Sequence, residues 1–203
     1  MPDLPVLLAP IGDPCGIGPE VLVKALADPA ASAAARTVLI GSAAAVKRAI
    51  ACTGAALHVR TLTDVRAVEP HAGTVWVLDP GGLDGPLPAV GHAHRPCGQA
   101  QVDWLVTADR LCREGRAQGL VMAPINTESI ELAGAMGPVE ALAEPQPFHT
   151  YLLVISGPLR VVHLIHHQPI RRVCDLMSPD LVQHALVMIH RDFQAWGLGR
   201  PRI

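Results

Sequence analysis

The sequence predicts an α/β protein with a parallel sheet, and three observations carry that expectation. Short apolar runs (Val6 to Leu8, Thr37 to Ile40, Leu120 to Pro124) are each followed by a segment of helical spacing. The first two strand-helix units are complete by Ala51, which implies parallel pairing through right-handed crossovers. Half of the 203 residues are apolar, yet only two Phe, three Trp and one Tyr are among them, so Ala, Val and Leu must build the core. That composition suits helices packed on a sheet better than an aromatic-rich sandwich.

The stretch Ala9 to Glu20 organises the chain. Its three glycines, Gly12, Gly16 and Gly18, permit positive φ or close backbone approach, and Pro19-Glu20 suits the first turn of a helix over Val21 to Leu26. A strand, a tight loop and a helix N-terminus result. The helix terminus offers free amides to an anion, although the carboxylates of Asp13 and Glu20 oppose one; a purely structural turn is the competing reading. Asp28-Pro29 breaks the pattern, and Ser42 caps an alanine-rich helix through Ala51. Leu57 to Leu62 and Thr74 to Leu78 read as strands, and Asp79 to Pro88 is too rich in turn formers to be either element.

Gly98 to Arg113 returns to helical spacing, and Leu120 to Pro124 reads as a buried strand. A short helix over Thr127 to Leu132 should follow, capped by Asn126 or Thr127, at a strand end of the kind that holds ligands in open α/β sheets. Leu152 to Ile155 and Arg160 to Ile165 read as two strands joined by Ser156-Gly157-Pro158, and Ser178-Pro179 starts a last helix to about Trp196.

Composition excludes several function classes. A net charge of −2 supplies no basic field for nucleic acid, and no apolar run is long enough to span a membrane. No basic segment precedes an apolar one at the start, so a cytoplasmic protein is expected. The five cysteines lie far apart without a C-x-x-C pair, which disfavours a zinc ribbon or a disulfide framework. Cys15 near a helix start reads either as a small buried residue or as a thiol of lowered pKa.

Gly12-Asp13-Pro14-Cys15-Gly16-Ile17-Gly18-Pro19-Glu20 resembles the opening signature of the 4-hydroxythreonine-4-phosphate dehydrogenase family, including its paralogues acting on phosphorylated four-carbon sugar acids. Three further stretches follow in the family's order: Ala123-Pro124-Ile125-Asn126 running to Gly134, then Gly157 to Val161, then His167-Gln168-Pro169-Ile170-Arg171. The resemblance implies an isocitrate/isopropylmalate dehydrogenase-like architecture of two α/β/α lobes, with residues 1–125 as the first lobe and 126–203 as the start of a second, metal and substrate lobe that is incomplete at the C-terminus. It implies NAD, a divalent metal (zinc, cobalt or magnesium), a small phosphorylated hydroxy-acid substrate and a homodimer. The implied reaction is oxidation of a secondary alcohol followed by decarboxylation, in pyridoxal phosphate biosynthesis or a related sugar-acid pathway.

By the same resemblance His167 is the metal ligand, while Asn126, His149 and Thr150 touch substrate and Gly12, Asp13, Gly16 and Gly18 shape the loop beside them. The chain departs from the family at three points. Thr127 stands where many members have lysine, His166 replaces the usual threonine before the metal histidine, and His149-Thr150 is the only His-Thr pair, counting from Gly134 pointing instead to Glu140. From the residues alone, His163, His166 and His167 make a histidine patch, but on a strand His163 and His167 share a face while His166 points away. Two other readings stand beside the dehydrogenase: a truncated, noncatalytic α/β remnant that binds a ligand or dimerises, and a Rossmann oxidoreductase of another family, which the spacing of the glycines does not favour.

Overall fold

The computed structural model describes residues 4–69, 71–83, 85–135, 137, 142, 151–165 and 168–203. The chain divides into two units, Met1–Ala141 and Leu142–Ile203.

In the first unit β1 (Val6–Pro10) leads through a loop to α1 (Gly18–Ala27) and α2 (Pro29–Ala34), then β2 (Arg36–Ile40) and α3 (Ala43–Thr53). β3 (His58–Thr61), a 3-10 turn at Val65–Ala67, β4 (Thr74–Leu78), α4 (Arg95–Arg113), β5 (Gly119–Leu120) and α5 (Thr127–Ala133) follow. All strand pairs are parallel, in the order β3, β4, β2, β1, β5. α1 and α3 pack together, while α4 packs on β1, β2 and β5. Right-handed crossovers put these helices on opposite faces, because the connection from β4 to β5 runs back across the sheet.

Leu8, Ile11, Val38, Leu39, Ile40, Val46, Val75 and Val77 fill the core with Trp104 of α4. The tryptophan is tolerated there because its indole N–H donates to the Gly81 carbonyl at 3.0 Å. Local signals set the helix ends. Asp28 accepts from Ala30 N, so the Asp28-Pro29 break is also the cap of α2, and Ser42 accepts from Ala45 N to open α3. α4 starts ahead of Gly98, at Arg95, with a proline in its first turn.

The buried strand expected over Leu120 to Pro124 is corrected. Its ladder to β1 continues, with Val121 N donating to Leu8 O at 2.8 Å and Ala123 N to Pro10 O at 3.1 Å, but regular strand ends at Leu120. Val121 and Met122 are 55% and 44% exposed. The cause is position: β5 pairs only with β1 among the described residues, and an edge strand has neighbours on one side.

In the second unit β6 (Leu152–Ser156) and β7 (Leu159–His163) form an antiparallel hairpin in which Ser156 faces Leu159. Gly157, at φ 54°, opens the two-residue turn, the glycine position of such a loop. β7 ends at His163, short of the expected Ile165. α6 (Ile170–Leu176) and α7 (Pro179–Ala195) complete the unit, and Ser178 caps α7 by accepting from Leu181 N. The sequence expectation divides the chain after residue 125; α5 packs against α4, inside the first unit.

Candidate active site

β1 lies between β2 and β5, so the strand order reverses there, and the crevice outside the carboxyl ends of such strands is where open α/β sheets hold ligands. Two segments meet at that point, the loop after β1 and the segment after β5. Asp13 N donates to Pro124 O at 3.1 Å and ties them together. Gly12 makes the approach possible: its φ is 67°, and a Cβ there would overlap the Pro124 carbonyl oxygen. A Cβ on Gly18 would overlap the Ile11 carbonyl, whereas Gly16 has ordinary φ and a Cβ there would make a tight contact, 3.2 Å from Asp13 Cβ.

Residues 11–15 are buried, and Gly16, Ile17 and Glu20 reach the surface. Asp13 is 3% exposed, with Oδ1 accepting from Cys15 N at 2.9 Å. The helix that follows has no side-chain cap at Ile17, so its first turn retains unsatisfied amides. Arg48 of α3 clamps the loop from outside, donating to Pro14 O at 2.6 Å and Pro88 O at 3.0 Å.

After β5, Asn126 caps α5, its Oδ1 accepting from Ser129 N at 3.0 Å. Its amide nitrogen has no hydrogen bond among the described residues. Behind it Gln101, 2% exposed on α4, accepts from Asn126 N at 2.8 Å and donates to Cys97 O at 3.1 Å. Ser129 Oγ accepts from His94 N at 3.1 Å, which fixes α5 to the start of α4. The strand end is therefore held from within the protein, and Asn126 itself is half-buried. Thr127 is exposed at the first position of α5.

Cys15 and Cys97 meet beneath the loop with their sulfurs 3.6 Å apart. Burial, then the hydrogen bond with Cys15, pushes the Cys97 thiol from its ordinary 9.0 to about 12. Between these values the unfolded chain has released a proton that the folded chain holds, so stability is fully present below pH 9.0 and falls as pH rises toward about 12. Thermal melts of the metal-free chain are expected to show this alkaline fall, and Cys97→Ala is expected to make it shallower. An identical slope in the variant would contradict the assignment.

Of the residues expected at the site, Gly12, Asp13, Gly16, Gly18 and Asn126 come together. His149, Thr150 and His167 lie outside the described residues, as do His166 and Glu140. His163 ends β7 in the second unit. Sequence reasoning missed Gln101, Arg48 and Cys97. A signal existed for two of them: Cys97, Gln101, Leu105 and Ala108 recur at helical spacing, so Gln101 is a polar residue on a buried stripe.

The fold is that of solved dehydrogenases. A crystal structure of a 4-hydroxythreonine-4-phosphate dehydrogenase from Burkholderia phymatum superposes with a TM-score of 0.83 at 29% identity, covering 98% of this chain and 61% of that one. The chain matches the family model described as "Pyridoxal phosphate biosynthetic protein PdxA" over residues 33–203, and it belongs to that family. A Novosphingobium aromaticivorans relative provisionally named 4-hydroxythreonine-4-phosphate dehydrogenase is 41% identical over 200 residues, 98% of this chain and 59% of the relative. The D-threonate 4-phosphate dehydrogenase of Cupriavidus necator is 29% identical over 206 residues, 98% of this chain and 61% of its own. The chain thus spans about three fifths of the length of these relatives. Among the described residues no helix is long and apolar enough to cross a membrane.

Proposed function

We propose that this chain belongs to a cytoplasmic, NAD-dependent dehydrogenase that oxidises and decarboxylates a small phosphorylated hydroxy acid. The supporting observation is the pairing of the glycine loop with the Asn126 strand end at the reversal of strand order, in a chain of this family. NAD would take the hydride from the secondary alcohol, and a divalent zinc, cobalt or magnesium ion would acidify the hydroxyl and polarise the ketone. For an anionic ligand, the described residues fit on two counts: the uncapped first turn of α1 and the Asn126 side-chain NH2, which has no hydrogen bond among the described residues. In this reading Asn126 donates to a substrate oxygen, Gln101 holds Asn126 in place, and the neutral imidazole of His167 is a metal ligand, its donor type suiting zinc or cobalt. His149 and Thr150 are further substrate contacts.

For the substrate we favour a phosphorylated hydroxy acid such as D-threonate 4-phosphate, the acid named for the Cupriavidus necator relative, over 4-hydroxythreonine 4-phosphate, because the chain departs from the family pattern at Thr127 and around His149-Thr150. The test compares kcat/KM for the two acids in a protein completed to the relatives' length. A preference for D-threonate 4-phosphate supports the reading, and a preference for 4-hydroxythreonine 4-phosphate reverses it. Thr127→Lys, at an exposed position, is expected to lower KM for the phosphorylated substrate about tenfold through a charge-assisted contact. An unchanged KM would place the phosphate elsewhere.

A second reading, a noncatalytic dimerising remnant, is favoured by the apolar side chains of Val154, Ile155, Leu159 and Val161, all exposed on the hairpin. A homodimer is common to both readings. Light scattering is expected to show association of the isolated chain as its concentration rises, and a monomer throughout would count against the dimer.

A further inference from the structure

We propose that Asp13, Cys15 and Cys97 form a binding site for a thiophilic d10 cation of the zinc class, separate from the histidine-based metal of the proposed reaction. The ligand atoms of all three residues are buried and lie within 4.8 Å of one another. Two sulfurs on one tetrahedral zinc at about 2.3 Å each would stand about 3.8 Å apart. The Cys15 and Cys97 sulfurs already stand at 3.6 Å.

A further feature points to a cation. Asp13 is 97% buried (3% exposed), and its only side-chain hydrogen bond among the described residues is the one its Oδ1 accepts from Cys15 N, which leaves Oδ2 open.

Charge balances as well. Two thiolates and a carboxylate carry −3, a divalent ion +2, and the Arg48 guanidinium, 3.9 Å from Cys15 Sγ, supplies the remaining +1. Binding exchanges two S–H bonds for two S–metal bonds, and two protons leave for solvent. Nothing is oxidised or reduced. The bound ion would cross-link the glycine loop to α4 and rigidify the floor of the site.

Cadmium titration of the chain tests this, because sulfur-to-cadmium charge-transfer absorption reports thiolate ligation and is silent to histidine. The expected result is a band that saturates at one equivalent with release of two protons, and that survives both His167→Ala and a Cys52→Ser/Cys174→Ser double variant. Cys15→Ala and Cys97→Ala should each weaken binding more than about 100-fold, since even residues behind metal ligands contribute 10 to 100-fold. Should either alanine variant fail to fold, the proton count and the His167→Ala spectrum of folded protein still decide. A band kept by Cys97→Ala, one lost with the exposed cysteines, proton release other than two, or a Cys15–Cys97 disulfide in the chain as purified would each overturn the proposal.

Discussion

Gly12→Ala is expected to lower the stability of the chain by about 2 to 5 kcal/mol, seen as a fall in denaturation midpoint at unchanged slope when tryptophan fluorescence is followed in urea. Two costs combine. An alanine at φ 67° occupies the left-handed region, which costs about 1 to 2 kcal/mol, and its Cβ would overlap the Pro124 carbonyl, forcing the loop off the β5 strand end. Relief of that overlap breaks the bond from Asp13 N to Pro124 O, the link between the two halves of the site. Gly16→Ala is the control, since its Cβ would lie 3.2 Å from Asp13 Cβ with no forbidden φ, and less than about 1 kcal/mol is expected. Equal effects of the two substitutions would contradict the loop geometry.

Gln101→Leu is expected to cost about 1 to 3 kcal/mol although it keeps volume and adds apolar surface. The gain from a leucine on a buried stripe is outweighed because the Asn126 N–H loses its acceptor and has no replacement among the described residues. In the completed enzyme the same variant is expected to raise KM more than it lowers kcat, because Gln101 acts through the position of Asn126 and touches no reacting atom. A loss confined to kcat would show that Gln101 does something other than position the cap. Gln101→Glu, which keeps the acceptor for Asn126 N, should retain most of the binding.

Elements governed by nearest neighbours were legible in the sequence. Ser42 and Ser178 cap the helices they were expected to cap, Asn126 caps α5, and Gly157-Pro158 turns the hairpin, because each signal and its partner lie within three or four residues. The exposure of Val121 and Met122 was not legible, since a strand's apolar run does not say whether it stands at the centre or the edge of a sheet. Neither was the meeting of Cys15 with Cys97, which are 82 residues apart and joined only by the path of α4 across the sheet. The glycine loop was located by its composition, yet among its three glycines only Gly12 uses a left-handed φ; Gly18 serves close packing against backbone, and Gly16 lies close against the Asp13 side chain. His167, His149 and Thr150, the residues carried by family resemblance, await a direct test.

NAD reduction provides it. The 203-residue chain and a chimera that joins to it the part of the Novosphingobium aromaticivorans relative outside the matched 59% are assayed with D-threonate 4-phosphate and a divalent metal. The isolated chain is expected to turn over nothing, because a catalytic zinc site commonly needs three protein ligands and His167 is the one the resemblance assigns here. The chimera is expected to reduce NAD, and His167→Ala to abolish that activity while leaving the fold intact by circular dichroism. Turnover by the isolated chain, or full activity of the chimera without His167, would contradict the account.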